Sequence, residues 1–233
     1  MDLKALRNYI ENIGRELVKC PLRCEGIVNS PEKGIIPRCL ILEESNLNIL
    51  GCIIVGINPG SAKRYEREAY MKNCSYNQVL YIWQHRIRNL RYYKYSRGLA
   101  EKLGFRGAIL WTEICKCEKR QKQKDIPIET IRKCINRYLI KELNAVEKTV
   151  GAQIPIIALG NTAYQILCLL FPNFFIIGVP HPTGSYGHFA ELSRDENIIL
   201  AKQKIDEAKR KGKSCVKIFP RQIKKSLSSS DRK

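Results

Sequence analysis

The sequence predicts an α/β fold, a small four-stranded parallel sheet with helices on both faces. Short apolar runs read as strands at 52–57, 107–114, 155–159 and 174–179, and the first and last are β-branched runs that stop at Gly/Pro turns, the pattern of strands buried on both faces. Helical periodicity fills the stretches between them, at 76–103, 128–149 and 162–170. Strands alternating with helices imply crossover connections that lay helices over a parallel sheet. With 233 residues, 44% of them hydrophobic, the chain can bury one sizeable core. Residues 1–212 are expected to form a single domain, followed by a basic, Ser-rich and mobile extension over 213–233.

The elements follow in order. Leu3, Leu6, Ile10, Ile13 and Leu17 recur at helical spacing, so the chain opens on an amphipathic helix that Pro21 stops. Residues 25–48 read as irregular, broken by Gly26, Pro31, Gly34 and Pro37. Asn161 is an N-cap for the helix over 162–170, and Pro172 its stop. Ser193 and Glu196 form a capping box that opens a last helix over 194–211, with Gly212 as its C-terminal stop.

Charge speaks to partners. Lys and Arg number 41 against 22 acidic residues, a formal net charge of +19, which favours a polyanion. DNA is the first expectation, RNA the second and an anionic membrane a distant third. Cations and aromatics interleave from Lys63 to Lys124, a pattern that suits phosphates and stacked bases. A solvated helix face over buried rings is the alternative. The run Lys116, Lys119, Arg120, Lys122 and Lys124 reads as a surface loop. Apolar runs are too short to span a bilayer and no signal-peptide pattern opens the chain, so a cytoplasmic protein is expected. Its ten cysteines are then expected to stay reduced, with Cys52 and Cys168 as small core residues.

Two strand ends carry chemistry. Gly56-Ile57-Asn58-Pro59-Gly60 follows the first run, and Pro180-His181-Pro182-Thr183-Gly184-Ser185 follows the last. Ligands of open α/β sheets bind beyond such carboxyl ends. Asn58 offers an acceptor and a donor, enough to hold a water or one edge of a base. His181, between two prolines, is a donor held in one direction that suits developing negative charge. Ordinary turns are the alternative for each.

Taken together, the two motifs resemble the signatures of the uracil-DNA glycosylase superfamily. The first matches the string of its mismatch-specific uracil/thymine branch, and the second is similar to the superfamily's His-Pro-Ser/Thr loop. The resemblance implies that Asn58 and His181 are catalytic and that Gly56 and Ile57 contact the base. Tyr70, fourteen positions after Gly56, would stack on it, and Ser185 and Tyr186 would touch DNA, with Tyr186 filling the vacated stack.

Trp111-Thr112-Glu113-Ile114-Cys115-Lys116-Cys117, followed by Cys134 and Tyr138-Leu139, resembles the superfamily's iron–sulfur branch. That resemblance implies a [4Fe–4S] cluster on Cys20, Cys24, Cys117 and Cys134. Four thiolates also suit tetrahedral zinc, and four unrelated thiols are the remaining alternative. Glu113 stands where that branch has an asparagine that reads uracil. An ionised carboxylate only accepts, so it repels O4 and favours a base with an amino group unless it is protonated. Pairing with a surface cation is its other reading.

The implied function is a monomeric DNA repair glycosylase. It would flip a damaged or mismatched base, uracil or a related deaminated base, out of duplex DNA and hydrolyse the N-glycosidic bond, leaving an abasic site. A catalytically weak or inactive iron–sulfur nucleic-acid-binding module of the same fold is the second reading.

Overall fold

A computed structural model describes residues 2–220. Its strands are β1 (Ile27–Val28), β2 (Leu40–Glu43), β3 (Leu50–Gly56), β4 (Ala108–Glu113), β5 (Glu118–Lys119), β6 (Ile156–Leu159), β7 (Ile176–Val179) and β8 (Cys215–Lys217). Its α-helices are α1 (Leu3–Val18), α2 (Arg64–Lys72), α3 (Tyr76–His85), α4 (Arg91–Lys102), α5 (Ile128–Cys134), α6 (Ile140–Thr149), α7 (Asn161–Leu170), α8 (Tyr186–Leu192) and α9 (Asp195–Arg210).

The α/β class holds, but the sheet has six strands rather than four, in the order β2-β4-β3-β6-β7-β8, and it is mostly parallel. The two added strands are short. β2 is the run Leu40-Ile41-Leu42 inside a breaker-rich stretch that read as irregular. β8 falls in the supposed extension, where Val216 and the following Ile218 are 6% and 0% exposed. The ordered chain thus runs past residue 212, and positions 221–233 of the extension lie outside the described residues. No described helix is long and apolar enough to cross a membrane.

The chain clusters into two compact units, interleaved in sequence: Met1–Glu44, Gly56–Arg88 and Leu110–Gly151 form the first, and Ser45–Val55, Asn89–Ile109 and Ala152–Lys233 the second.

In the first unit α1 buries Leu6, Ile10, Ile13 and Leu17 against α6, α3 and β2. Asp2 accepts from the Ala5 amide at 2.9 Å and caps that helix. Gly14 lets α3 pack close, since any Cβ there would overlap the Tyr76 ring. Tyr76 Oη in turn donates to the Leu40 carbonyl at 2.7 Å. The helix expected over 128–149 is interrupted by a π-helical turn at Ile135–Leu139, directly after Cys134. Such turns carry one extra residue and are frequent at functional sites.

In the second unit β3, β6, β7 and β8 run parallel, with Ile53, Ile156, Ile176 and Cys215 in one register row. Burying each Ile or Val of these strands contributes about 1.5–3 kcal/mol relative to exposure. Cys168 on α7 forms a disulfide with Cys215 on β8, which corrects its reading as a free core thiol. Its run is apolar, but its partner sits in a strand the sequence did not reveal. Cys52 is a core thiol as expected, and full burial pushes its pKa up to about 12.

Two caps differ from expectation. α7 begins on Asn161 itself, with Gly160 at φ +93 as N-cap, and Asn161 Oδ1 accepts from Lys217 Nζ. Ser193 does not cap α9: its hydroxyl donates to the Phe189 carbonyl at 2.9 Å and closes α8. Gly212, at φ +64, does end α9.

Candidate active site

In the first unit β3 ends at Gly56, and residues 57–63 have no regular structure. The start of this loop is fastened by the continuation of β4: the Ile114 amide donates to the Gly56 carbonyl at 2.9 Å and the Cys115 amide to the Ile57 carbonyl at 2.8 Å. Asn58 Nδ2 donates to the Pro59 carbonyl at 2.8 Å. That carbonyl takes one of the two N–H donors of the amide, and Asn58 Oδ1 can receive a donor such as water.

Glu113 ends β4, one residue before the partner of Gly56, and is 3% exposed. Burial takes its carboxylate off the surface, and the chain it precedes is bonded to the Gly56–Ile57 backbone. Tyr70 lies differently from expectation. It is 1% exposed, so its ring offers no open face to a base. Burial and the neighbouring Glu66 carboxylate raise its phenol well above the usual range. The spacing that placed Tyr70 could not register that α2 turns this side chain inward. Tyr65, on the same helix, is 36% exposed.

The four cysteines also lie in the first unit. Pairing of β1 with β5, Val28 opposite Glu118, brings the chain after Cys24 alongside the chain after Cys117. Asn29 Nδ2 donates to the carbonyls of Cys20 at 2.8 Å and Leu22 at 3.0 Å, which folds the Cys20–Cys24 turn. Desolvation raises the Cys117 thiol, and so does the proximity of Cys134, Cys20 and Cys24. Cys24 is raised by burial and then by Cys134 and Cys20. The four sulfurs are thus within electrostatic range of one another. They are not drawn into a ligand shell: among the described residues no group of three or more His, Cys, Asp or Glu side chains is arranged to hold a metal ion. The Cys134 and Cys115 thiols instead interact with each other, which lowers that of Cys134 and raises that of Cys115.

Lys116, read from sequence as a surface cation, is 1% exposed. Its ammonium donates to Glu142 Oε2 at 2.7 Å, and Thr112 Oγ1 donates to the same oxygen at 2.6 Å. This buried group ties the Cys115–Cys117 segment to α6. No spacing announced it, because one more lysine in a chain of net charge +19 carries no signal.

In the second unit His181 follows the end of β7. Its Nδ1 accepts from the Gly184 amide at 2.9 Å and lies 3.3 Å from the Thr183 amide. Two backbone donors on Nδ1 place the proton of a neutral ring on Nε2, which is therefore the ring's donor. Burial lowers the imidazole pKa from its ordinary 6.5, so the neutral ring is favoured near pH 7. Tyr92 of α4, read only as part of the basic stretch, packs its ring 5.5 Å from that of His181. Ser185 is the N-cap of α8 without a side-chain bond, and its amide donates to the His181 carbonyl at 3.1 Å. Tyr186 opens α8, and its side chain lies outside what the structure describes.

The interleaved basic stretch divides. Trp83 is buried, 5.7 Å from Trp111, and Arg88 is paired with the buried Glu43 at 3.5 Å, whereas Tyr81 is 57% exposed and the Arg64 side chain 94%.

Residues 46–200, well over half of the chain, match the family model described as the uracil DNA glycosylase superfamily. No curated protein and no solved structure matches.

Proposed function

The chain belongs to the uracil-DNA glycosylase superfamily, and on that premise we propose that it is a DNA N-glycosylase that removes uracil or a related deaminated base from duplex DNA. The observation that carries the reading is His181. A neutral imidazole whose Nδ1 is occupied by backbone donors presents one fixed Nε2–H. Such a donor stabilises negative charge as it grows on a departing base and makes no new demand on the protein at that moment. Asn58 Oδ1 would orient the attacking water. The water oxygen bonds to C1′, the glycosidic C–N bond breaks, and the base leaves with the bonding pair to be protonated. Gly56 and Ile57 would approach the base with their backbone, and Ser185 and Tyr186 would contact the DNA. Because Tyr70 is enclosed, stacking on the extruded base would require another ring or a movement of α2.

Glu113 sets the base preference in this reading. The test is a set of duplexes carrying uracil, hypoxanthine, xanthine, or G·T and G·U mismatches, scored for alkali-labile abasic sites with wild type and Glu113→Asn. Restoring an amide should shift the ranking toward uracil by about 1–3 kcal/mol of discrimination, since the carboxylate–O4 repulsion is removed. An unchanged ranking in a folded, active variant would put Glu113 outside the base pocket. Duplex binding without cleavage of any lesion would favour the binding-module reading.

Cys20, Cys24, Cys117 and Cys134 fit a four-thiolate site by chemistry and mutual range, and we propose that they hold a [4Fe–4S] cluster. When bound, it would fasten the N-terminal turn to the segment after β4. Anaerobically purified protein is expected to be brown and to contain iron and acid-labile sulfide. Stoichiometric zinc with neither would replace the cluster by a zinc site.

A further inference from the structure

We infer that Arg38 is the positioning residue of the Gly56–Gly60 turn, acting from a buried ionic cage around residues 60–63. Its side chain is 5% exposed and lies between two carboxylates, Glu66 and Glu118, that are themselves 4% and 5% exposed. Nε is 3.4 Å from Glu66 Oε1, Nη1 is 3.7 Å from Glu118 Oε2, and Nη2 donates to the carbonyl of Gly60, the last residue of the turn. The same carboxylates hold the chain just beyond. Glu118 Oε2 accepts from the Ala62 amide at 2.6 Å and Glu66 Oε2 from the Lys63 amide at 2.8 Å, while Arg67 Nε donates to the Ala62 carbonyl at 3.1 Å.

This stretch has no strand or helix to satisfy its backbone, so four of its polar groups are satisfied by side chains of one charged cluster. With Gly56 and Ile57 already fixed to Ile114 and Cys115, Asn58 and Pro59 are clamped from both sides. A planar guanidinium can reach two carboxylates and a carbonyl at once, and an ammonium cannot match that fork. The cage also reaches the cysteine segment, because the Arg38 amide donates to the Lys116 carbonyl at 2.9 Å and Glu118 is next in sequence to Cys117. The orientation of Asn58 is thus set by residues outside the motif, on the chain before β2 and on β5.

The kinetic consequence rests on the glycosylase reading; the structural one does not. Two variants test it. Arg38→Lys keeps the charge and loses the fork. Arg38→Met combined with Glu66→Gln removes one charge of each sign and leaves Glu118 with Arg67, 3.5 Å away. In folded samples of either, amide hydrogen exchange at Ala62 and Lys63 is expected to accelerate at least about tenfold while α1 exchanges as in wild type. Excision kcat should fall about a hundredfold with KM and duplex affinity unchanged, the signature of a misplaced group rather than a lost contact. Unchanged exchange at 62–63 in a folded variant overturns the cage. Faster exchange with unaltered kcat overturns the positioning role. If wild type itself releases no base, the glycosylase reading falls, and the exchange comparison still decides whether Arg38 holds the turn.

Discussion

His181→Ala lowers excision by about 10²–10³-fold while duplex affinity changes by less than about threefold. The asymmetry follows from where the donor would act in the proposed reaction. In the ground state the base is neutral, and the Nε2–H of a neutral imidazole gains little from it. As the glycosidic bond breaks, the pair moves onto the base and the same donor meets growing negative charge. An interaction made chiefly in the transition state appears in kcat and not in binding. The pH dependence has a definite sign. Burial holds the folded-state pKa of His181 below 6.5, so the unfolded chain takes up the proton first. Stability from this group is fully present above the unfolded value, and it is lost as pH falls from there to the folded value. Protonation of Nδ1 would also break the bond from Gly184. The excision rate is therefore expected to hold through pH 6.5 and to fall only at lower pH, where the ring of the folded protein takes up its proton.

Glu142→Ala destabilises the protein by about 3–5 kcal/mol, because it strands the Lys116 ammonium in the core. Lys116 and Glu142 are 1% and 0% exposed, and Thr112 Oγ1 completes the group. For a chain of this size the loss lowers Tm by roughly 6–20 °C, measured by calorimetry. Lys116→Met combined with Glu142→Leu should recover most of it, since an apolar replacement of a whole buried pair is often neutral or better. Equal stability of the single and double variants would show that the pair is not the electrostatic unit described. Lys116 lies between Cys115 and Cys117, so on the proposal that Cys117 helps hold a cluster the single variant should also lose iron more readily than wild type.

The core strands were legible because short apolar runs between helical stretches, two of them ending at Gly and Pro turns, have few other uses in a chain of this composition. β3, β4, β6 and β7 lie within two residues of their expected bounds. β2 and β8 were not legible, being four and three residues long, one among breakers and one in a basic segment. The long helix expected over 76–103 is α3, a 3-10 turn at Ile87–Asn89, and α4, a division that periodicity alone does not mark. At the candidate site the motif residues were visible because turn chemistry is local. Arg38, Glu66 and Glu118 were not, since their association depends on chain segments far apart in sequence. Tyr70 shows the opposite error: its spacing after Gly56 pointed to an open ring, but burial is decided by how α2 packs.

The central claim is hydrolysis of a glycosidic bond, and its products can be followed atom by atom. A duplex with a single uracil or hypoxanthine is incubated with the anaerobically purified protein in ¹⁸O-water, and both products are analysed by mass spectrometry. The account predicts free base without label and an otherwise intact strand whose abasic sugar carries one ¹⁸O at C1′, with both products nearly absent for His181→Ala. Recovery of unmodified duplex with every lesion, or a covalent protein–DNA adduct trapped by borohydride in place of the labelled sugar, would contradict it.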